Sequence, residues 1–154
     1  RVRSSAASDV YKRQNSGSRV TLGDRVESDG RVSITTGYSS RLNIGSGVYF
    51  NDGAVISCLG KITIGENTLF GPGVKIFDNN HRFSREEGVS RECAAGCITV
   101  GRSCWIASDV VLLKGTDIGD NCVIGAGCVI RGKVPAGSLV TRSGEQTTRP
   151  IEIR

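Results

Sequence analysis

The sequence predicts an all-β fold, a single-domain solenoid of stacked coils, and its strongest sign is a six-residue repeat. From residue 100, six consecutive blocks each begin with Val, Ile or Leu: VGRSCW, IASDVV, LLKGTD, IGDNCV, IGAGCV and IRGKVP. Gly or Ala stands second in four of the blocks, and a Cys, Val or Thr stands fifth in all six. A period of six matches neither the helical period of about 3.6 nor the simple alternation of a strand.

Such a block describes one side of a triangular coil. The residues at positions one and five point inward, and the small residue at position two lets the backbone turn the corner closely. Three blocks make a coil of roughly 18 residues, and coils stack about 4.8 Å apart by parallel strand pairing.

Upstream of residue 100 the same block recurs with two disturbances. Copies stand at 44–49, at 51–56 one residue out of phase, and at 64–75, with a weaker copy from Leu22. The phase slips near 57–63, where we expect the coil to bulge or turn differently. The repeat then stops at Ile76 and resumes near Ile98, which predicts one long excursion loop at 77–97 and leaves 136–154 as a C-terminal extension.

Residues 1–14 lack the repeat and are expected to lie outside the fold. Residues 4–14 read SSAASDVYKRQ, which is similar to the direct translation of an adapter used to prepare sequencing libraries. The expected domain is therefore 15–154. The first 14 residues carry +3 of the formal charge of +5, so the remainder gives no sign of nucleic-acid binding.

The composition excludes several kinds of site. The chain has one histidine, which rules out metal sites built from two or three His ligands of one chain, including that of a γ-type carbonic anhydrase. We expect no bound metal. The longest apolar runs fall far short of the roughly 18 residues that a membrane helix needs, so no membrane span is expected.

The repeat resembles that of the hexapeptide-repeat acyltransferases, and two stretches carry the resemblance most specifically. LFGPGVKIFDNNHRF, residues 69–83, is similar to the run that leads to the catalytic histidine of sugar O-acetyltransferases. Residues 104–140 resemble the coils that bind acetyl-CoA in the maltose, galactoside and polysaccharide acetyltransferases. The resemblance implies a left-handed parallel β-helix, acetyl-CoA as co-substrate, and a homotrimer with active sites in the clefts between subunits.

The resemblance makes His81 the expected catalytic base. A long excursion inside a solenoid is usually functional, and a sugar hydroxyl needs a group such as imidazole to take its proton. An amide of Asn79 or Asn80 could hold the oxyanion or bind the acceptor, and Asp78 could orient the imidazole. Turn formation explains the Asp-Asn-Asn run equally well.

Later coils are expected to bind the cofactor. Ala107, Gly125 and Ala126 match corners at which the family lets backbone amides approach the pantetheine arm of CoA. Trp105 is expected to point outward, where it walls the active site or packs between subunits. Basic residues that lie where relatives meet the CoA phosphates are Arg131, Lys133 and Arg149.

The six cysteines are expected to be thiols. Cys104, Cys122 and Cys128 occupy inward position five, and the first two are one coil apart and should stack. No secretory signal is visible, which favours a cytoplasmic protein. The roles of Cys58, Cys93 and Cys97 are open. Cys93 and Cys97 could be metal ligands with partners elsewhere, but no CxxC pair supports this.

The sequence therefore predicts an acetyl-CoA-dependent O-acetyltransferase that acts on a saccharide hydroxyl. One alternative is an N-acetyltransferase that acts on an amino-sugar nucleotide, for which the same base and cofactor site would serve. Another is a non-catalytic β-helix that serves as a scaffold or binding module, which would neither bind CoA nor consume acetyl-CoA.

Overall fold

A computed structural model describes residues 10–143 and 145–150, and every regular element in them is a β-strand. The strands are, in chain order, β1 (Val10–Gln14), β2 (Arg19–Leu22), β3 (Glu27–Ser28), β4 (Val32–Thr36), β5 (Arg41–Ile44), β6 (Tyr49–Phe50), β7 (Ala54–Cys58), β8 (Lys61–Ile64), β9 (Leu69–Phe70), β10 (Lys75–Phe77), β11 (Asn79–Ser84), β12 (Gly88–Ala95), β13 (Cys97–Val100), β14 (Trp105–Ile106), β15 (Val111–Leu113), β16 (Asp117–Ile118), β17 (Val123–Ile124), β18 (Val129–Ile130), β19 (Lys133–Val134), β20 (Ser138–Ser143) and β21 (Glu145–Pro150).

Eighteen of the 21 strands form three parallel sheets that the chain visits in turn, whereas β11 and β12 form a separate pair and β21 adds antiparallel to β20. Sheet A contains β1, β4, β7, β10, β15 and β18; sheet B contains β2, β5, β8, β13, β16 and β19; sheet C contains β3, β6, β9, β14, β17 and β20. Because each coil contributes one strand to each sheet, the chain is a parallel β-helix with three sides. The predicted all-β fold is confirmed, and none of the described residues forms a helix able to cross a membrane.

The inward positions predicted from the repeat are those that the structure buries. The first and fifth residues of all six blocks from Val100 to Val134 are buried. They continue into the earlier coils as columns of Val, Ile and Leu, and the Phe50 and Phe70 rings stack with centroids 4.8 Å apart. One hydrophobic core therefore runs along the axis of the solenoid.

The length of a coil varies along the chain. Trp105 pairs with Val123, 18 residues later, as predicted. Earlier coils are longer, since Arg19 pairs with Arg41 and Arg41 with Lys61. The final coil is shorter, because Val123 pairs with Leu139. The solenoid thus continues through β20 into the expected C-terminal extension, and β21 returns antiparallel to β20.

The excursion at 77–97 is an antiparallel hairpin rather than an irregular loop. Strands β11 and β12 pair from Asn79↔Ala95 to Ser84↔Gly88, with an irregularity between His81 and Phe83. Gly88 adopts a positive φ of 69° and closes a three-residue turn. A hairpin satisfies its own backbone groups, which is why a polar segment without the six-residue period is still regular.

Asp78 fastens the hairpin to the preceding coil. Its side chain is fully buried, and its two carboxylate oxygens accept the N–H groups of Leu59 and Gly60, each at 2.8 Å. Leu59 and Gly60 form the corner between β7 and β8, inside the segment where the repeat slips. A Cβ at Gly60 would collide with the carbonyl oxygen of Gly96, so the returning hairpin strand leaves room only for glycine there.

All six cysteines are free thiols, and four of them are buried. Cys104 and Cys122 stack one coil apart as predicted, and their Sγ atoms donate to the carbonyl oxygens of Gly119 at 3.2 Å and Pro135 at 3.1 Å. Burial raises the pKa of Cys104 and Cys128. Cys104 and Cys122 therefore act as small core residues that each satisfy a corner carbonyl.

Residues 1–14 are expected to lie outside the fold, but their last five residues form β1 and pair with the solenoid. Strand β1 runs parallel to β4, from Val10↔Val32 to Gln14↔Thr36. Residues 1–9 lie outside the described part of the chain. The open edge of a terminal coil offers unpaired N–H and C=O groups to any extended segment, which explains this pairing without a repeat in the sequence.

Deleting residues 1–14 is expected to change the free energy of unfolding by no more than about 0.5 kcal/mol. The hydrogen bonds of a terminal strand are nearly offset by the entropy lost in ordering it. Urea denaturation of the full-length protein and of the protein without residues 1–14 measures the difference. A larger loss of stability would show that β1 stabilises the solenoid.

Asp78→Ala is expected to destabilise the protein by about 2–4 kcal/mol, because two backbone donors lose a charged acceptor in a buried site. The matched control is Asp117→Ala, since Asp117 is exposed on sheet B and should change stability by less than about 0.5 kcal/mol. The midpoints of urea denaturation report both changes in stability, provided that the dependence of the unfolding free energy on urea concentration is the same in all three proteins. Equal midpoints for the two variants would contradict the fastening role of Asp78.

Candidate active site

His81 lies on an exposed strand of the hairpin, and its ring has a backbone partner. Its Nδ1 is 3.1 Å from the carbonyl oxygen of Ser90 on the opposite strand. A carbonyl oxygen only accepts hydrogen bonds, so this contact favours the tautomer that carries its proton on Nδ1. The Nε2 atom is then the nitrogen with a free lone pair, as a proton acceptor requires.

A thiol is the second neighbour of this ring. Cys93 is the direct cross-strand partner of His81, and its Sγ lies 3.7 Å from Nδ1. Neither Ser90 nor Cys93 was singled out from the sequence as a partner of His81. The antiparallel pairing that brings them to His81 has no counterpart in the six-residue period, and a carbonyl partner leaves no mark on residue type.

Asp78 does not orient the imidazole, contrary to one of the roles considered for it. Both of its oxygens are engaged by the corner at Leu59 and Gly60, and Asn79 Nδ2 donates to Oδ1 at 3.1 Å. The carboxylate is buried in the base of the hairpin, where it closes a turn. Of the two interpretations of the Asp-Asn-Asn run, catalytic roles or turn formation, turn formation describes Asp78.

The two asparagines have different surroundings. Asn79 is half-buried, and its Nδ2 also donates to the carbonyl oxygen and the Oγ of Ser57, at 3.2 and 3.1 Å. Asn80 is exposed. Adjacent residues of a strand face opposite sides, so Asn80 faces away from His81 and only Asn79 shares its side. The structure therefore does not bring an uncommitted amide nitrogen to His81.

A shallow pocket of about 350 Å³ lies on the outer half of the hairpin. Phe83 and Val89 pair directly across the strands in its lining, and both are exposed. Arg82 and Glu92 also line it and lie 3.9 Å apart as an exposed ion pair. This surface combines apolar and charged groups within a few residues of His81.

Trp105 points outward as predicted, with 54% of its surface exposed. It lies in sheet C between Leu69 and Val123, whereas the hairpin leaves the solenoid at the edge between sheets A and B. One chain therefore places Trp105 and His81 on different sides of the solenoid. Trp105 can line the same site as His81 only across a subunit boundary.

The three predicted cofactor corners follow sheet C at the edge with sheet A. The N–H of Ala107 is donated to Ile124 O at 2.9 Å, and that of Gly125 to Val140 O at 2.7 Å. Both N–H groups join neighbouring coils, so neither donates to a pantetheine arm, and a cofactor contact at these two corners stays a prediction that rests on their other atoms. Ala126 is exposed, and among the described residues its N–H has no backbone acceptor.

Two of the three basic residues expected near CoA, Arg131 and Lys133, have described side chains, and both are exposed. Arg131 follows β18, and Lys133 lies on sheet B opposite Asp117 of the neighbouring coil. For Arg149 only the backbone, in β21, is described, so its side chain lies outside the described part of the chain.

No cluster of three or more His, Cys, Asp or Glu side chains suited to a metal ion occurs among the described residues. Cys93 and Cys97 thus have no such cluster around them.

Comparisons with known proteins agree with the repeat and the fold. Residues 97–132 match the model of the family described as bacterial transferase hexapeptide (six repeats). Galactoside O-acetyltransferase of Escherichia coli K12 is 37% identical over 98 residues, which cover 64% of this chain and 48% of that protein. A putative lipopolysaccharide biosynthesis O-acetyl transferase of the same strain is 30% identical over 136 residues, 75% of this chain and 69% of that protein. This chain thus spans about half the length of the first relative.

Solved structures show the same fold. A hexapeptide-repeat acetyltransferase of Vibrio cholerae, solved with acetyl-CoA, superposes with a TM-score of 0.69 over 89% of this chain and 72% of that one, at 22% identity. A maltose O-acetyltransferase of Clostridium difficile 630 gives 0.61 over 89% and 71%, also at 22% identity. The expected left-handed β-helix is confirmed at the level of the fold. With its six-residue repeat, its three-sided solenoid and these relatives, the chain belongs to the hexapeptide-repeat acetyltransferase family.

Proposed function

We propose that this protein transfers an acetyl group from acetyl-CoA to a hydroxyl of a saccharide, with His81 as general base. The observation that carries the proposal is the His81 ring, held through Nδ1 by Ser90 on an exposed hairpin. The relatives support the reaction class, since one is named a galactoside O-acetyltransferase and the Vibrio cholerae structure contains acetyl-CoA. The free thiols support a cytoplasmic location.

Proton transfer in this mechanism runs through one nitrogen. Nε2 of His81 takes the proton of the acceptor hydroxyl as its oxygen attacks the acetyl carbonyl carbon. The imidazolium that forms keeps its Nδ1–H on Ser90 O, which stabilises the ring in one orientation. Nε2 then returns the proton to the departing sulfur of CoA, so the base is regenerated in each cycle.

The cofactor would lie along the later coils. Ala126 offers an exposed corner with an uncommitted N–H, and Arg131 and Lys133 offer exposed cations for phosphates further along. Ala126 lies at the edge of sheets C and A, whereas Arg131 and Lys133 lie at the edge of sheets A and B, from which the hairpin with His81 also leaves. A site that needs both the Ala126 corner and His81 is completed by a second copy of the chain, which supports the proposed homotrimer.

Acetyl-transfer assays over mono- and oligosaccharides, with release of CoA thiol as readout, test the reaction class. Thiol release that depends on a saccharide hydroxyl is the expected result. Absence of both CoA binding and turnover on any acceptor would favour a non-catalytic scaffold or binding module.

The homotrimer is expected to share its active site between copies. Ala126→Trp should fill the cofactor corner and His81→Ala should remove the base, so each variant alone is inactive. Mixed trimers, prepared by unfolding and refolding the two variants together, should recover part of the parental activity because some clefts combine an intact hairpin with an intact corner. Light scattering checks the assembly. A monomer with full activity, or mixtures that stay inactive, would contradict the shared site.

His81→Ala is expected to lower turnover about 10²–10⁴-fold, the usual effect of removing a general base. His81 is exposed and outside the core, so stability should stay within about 1 kcal/mol of the parent. The Michaelis constant for acetyl-CoA should change little, because the contacts proposed for CoA lie elsewhere. Glu86→Ala, in the exposed hairpin turn, is the matched control and should keep turnover. Retention of more than a tenth of parental turnover would mean another base, or an amine acceptor that arrives deprotonated.

A further inference from the structure

We propose that Cys93 is a covalent modification site for low-molecular-weight disulfides, and that an adduct there disables His81. The modification of Cys93 is inferred from the geometry of the hairpin, and its effect on His81 rests on the proposed function. Cys93 is half-exposed, lies directly across the hairpin from His81, and holds its Sγ 3.7 Å from the imidazole Nδ1.

The other cysteines differ from Cys93 in burial or in neighbours. Cys58, Cys104, Cys122 and Cys128 are buried. Burial, with the nearby Asp78 carboxylate, raises the pKa of Cys58 to about 12, so this thiol stays protonated and unreactive. Only Cys93 and Cys97 are open to a reagent in solution.

Cys97 is the natural comparison, because it is more exposed than Cys93 and lies only four residues further on. It stands on the outer side of β13 in sheet B, whereas the single imidazole of the chain contacts Cys93. Exposure alone predicts that Cys97 reacts first. Assistance from the imidazole predicts the opposite order, so the order of reaction isolates the contribution of His81.

The reaction is thiol–disulfide exchange. The Cys93 thiol gives its proton to water, and its sulfur attacks one sulfur of the disulfide while the His81 Nδ1–H, 3.7 Å away, stabilises the charge on the attacking sulfur. A new S–S bond forms to Cys93, the old one breaks, and the second half leaves as a thiolate that picks up a proton from water. No net oxidant is needed beyond the disulfide itself, and a reducing thiol reverses the step.

The adduct would occupy the space beside Nδ1. That atom already contacts Ser90 O at 3.1 Å and Cys93 Sγ at 3.7 Å, so a group attached to this sulfur crowds the imidazole and competes with its carbonyl partner. A ring that loses Ser90 also loses the contact that leaves Nε2 as the free nitrogen. Transfer should therefore stop while the fold persists.

Hydroxyethyl disulfide, a small uncharged probe, tests the site on the whole protein. Peptide mass spectrometry follows the adducts on Cys93 and Cys97 over time in the parent and in His81→Ala. We expect Cys93 to react about threefold faster than Cys97, or more, because the His81 imidazole stabilises only the Cys93 sulfur as it attacks. In His81→Ala the order should reverse in favour of the more exposed Cys97.

Activity gives a second, separate readout. Transfer by the parent should fall in step with the Cys93 adduct and return with dithiothreitol. Cys97→Ser should stay sensitive, and Cys93→Ser should keep its activity in the presence of the probe.

Two outcomes would overturn the proposal. Faster reaction of Cys97 in the parent, or an unchanged order in His81→Ala, removes the modification site whether or not the protein is a transferase. A complete Cys93 adduct that leaves transfer intact removes the link to His81. Because labelling is measured without acetyl-CoA, failure of the proposed function shows only in the activity readout.

Discussion

Hydrogen bonding between successive coils in register is the constraint on which the rest of this structure depends. Neighbouring coils exchange hydrogen bonds in both directions: Gly23 N–H donates forward to Ile44 O, and Gly47 N–H donates back to Asp24 O. A strand shifted by one residue would turn its buried aliphatic side chains outward. An insertion is therefore tolerated only at a corner, and it must return the chain to the register that it left.

The hairpin meets this condition and so displays a reactive side chain on a rigid support. Lys61 pairs with Cys97, so the chain resumes sheet B directly above β8 after the excursion. Asp78 fixes the departing end by closing the Leu59–Gly60 corner. His81 is thus positioned by its own hairpin and through it by the solenoid, while its ring stays outside the core.

The six-residue repeat predicted the core because burial and residue type coincide there. The repeat predicts that Val100, Cys104 and Ile106 point inward, and the structure buries all three. The slip of the repeat near 57–63 correctly marked an unusual corner. The hairpin was beyond reach, because its pairing is antiparallel and its residues are polar. The imidazole partner is a carbonyl, which any residue supplies. The small residues Ala107 and Gly125 marked tight corners, but residue type does not reveal that their amides already bind the next coil.

The register of the coil that carries the hairpin has a consequence for how such proteins diversify. Lys61 and Cys97 are 36 residues apart, twice the 18 that separate Thr99 from Asp117. The hairpin thus adds about one coil's worth of chain between two corners, without altering the strands on either side. It behaves as an exchangeable cassette: grafting a hairpin of another length or sequence between β10 and β13 would alter the chemistry presented at that edge and keep the scaffold.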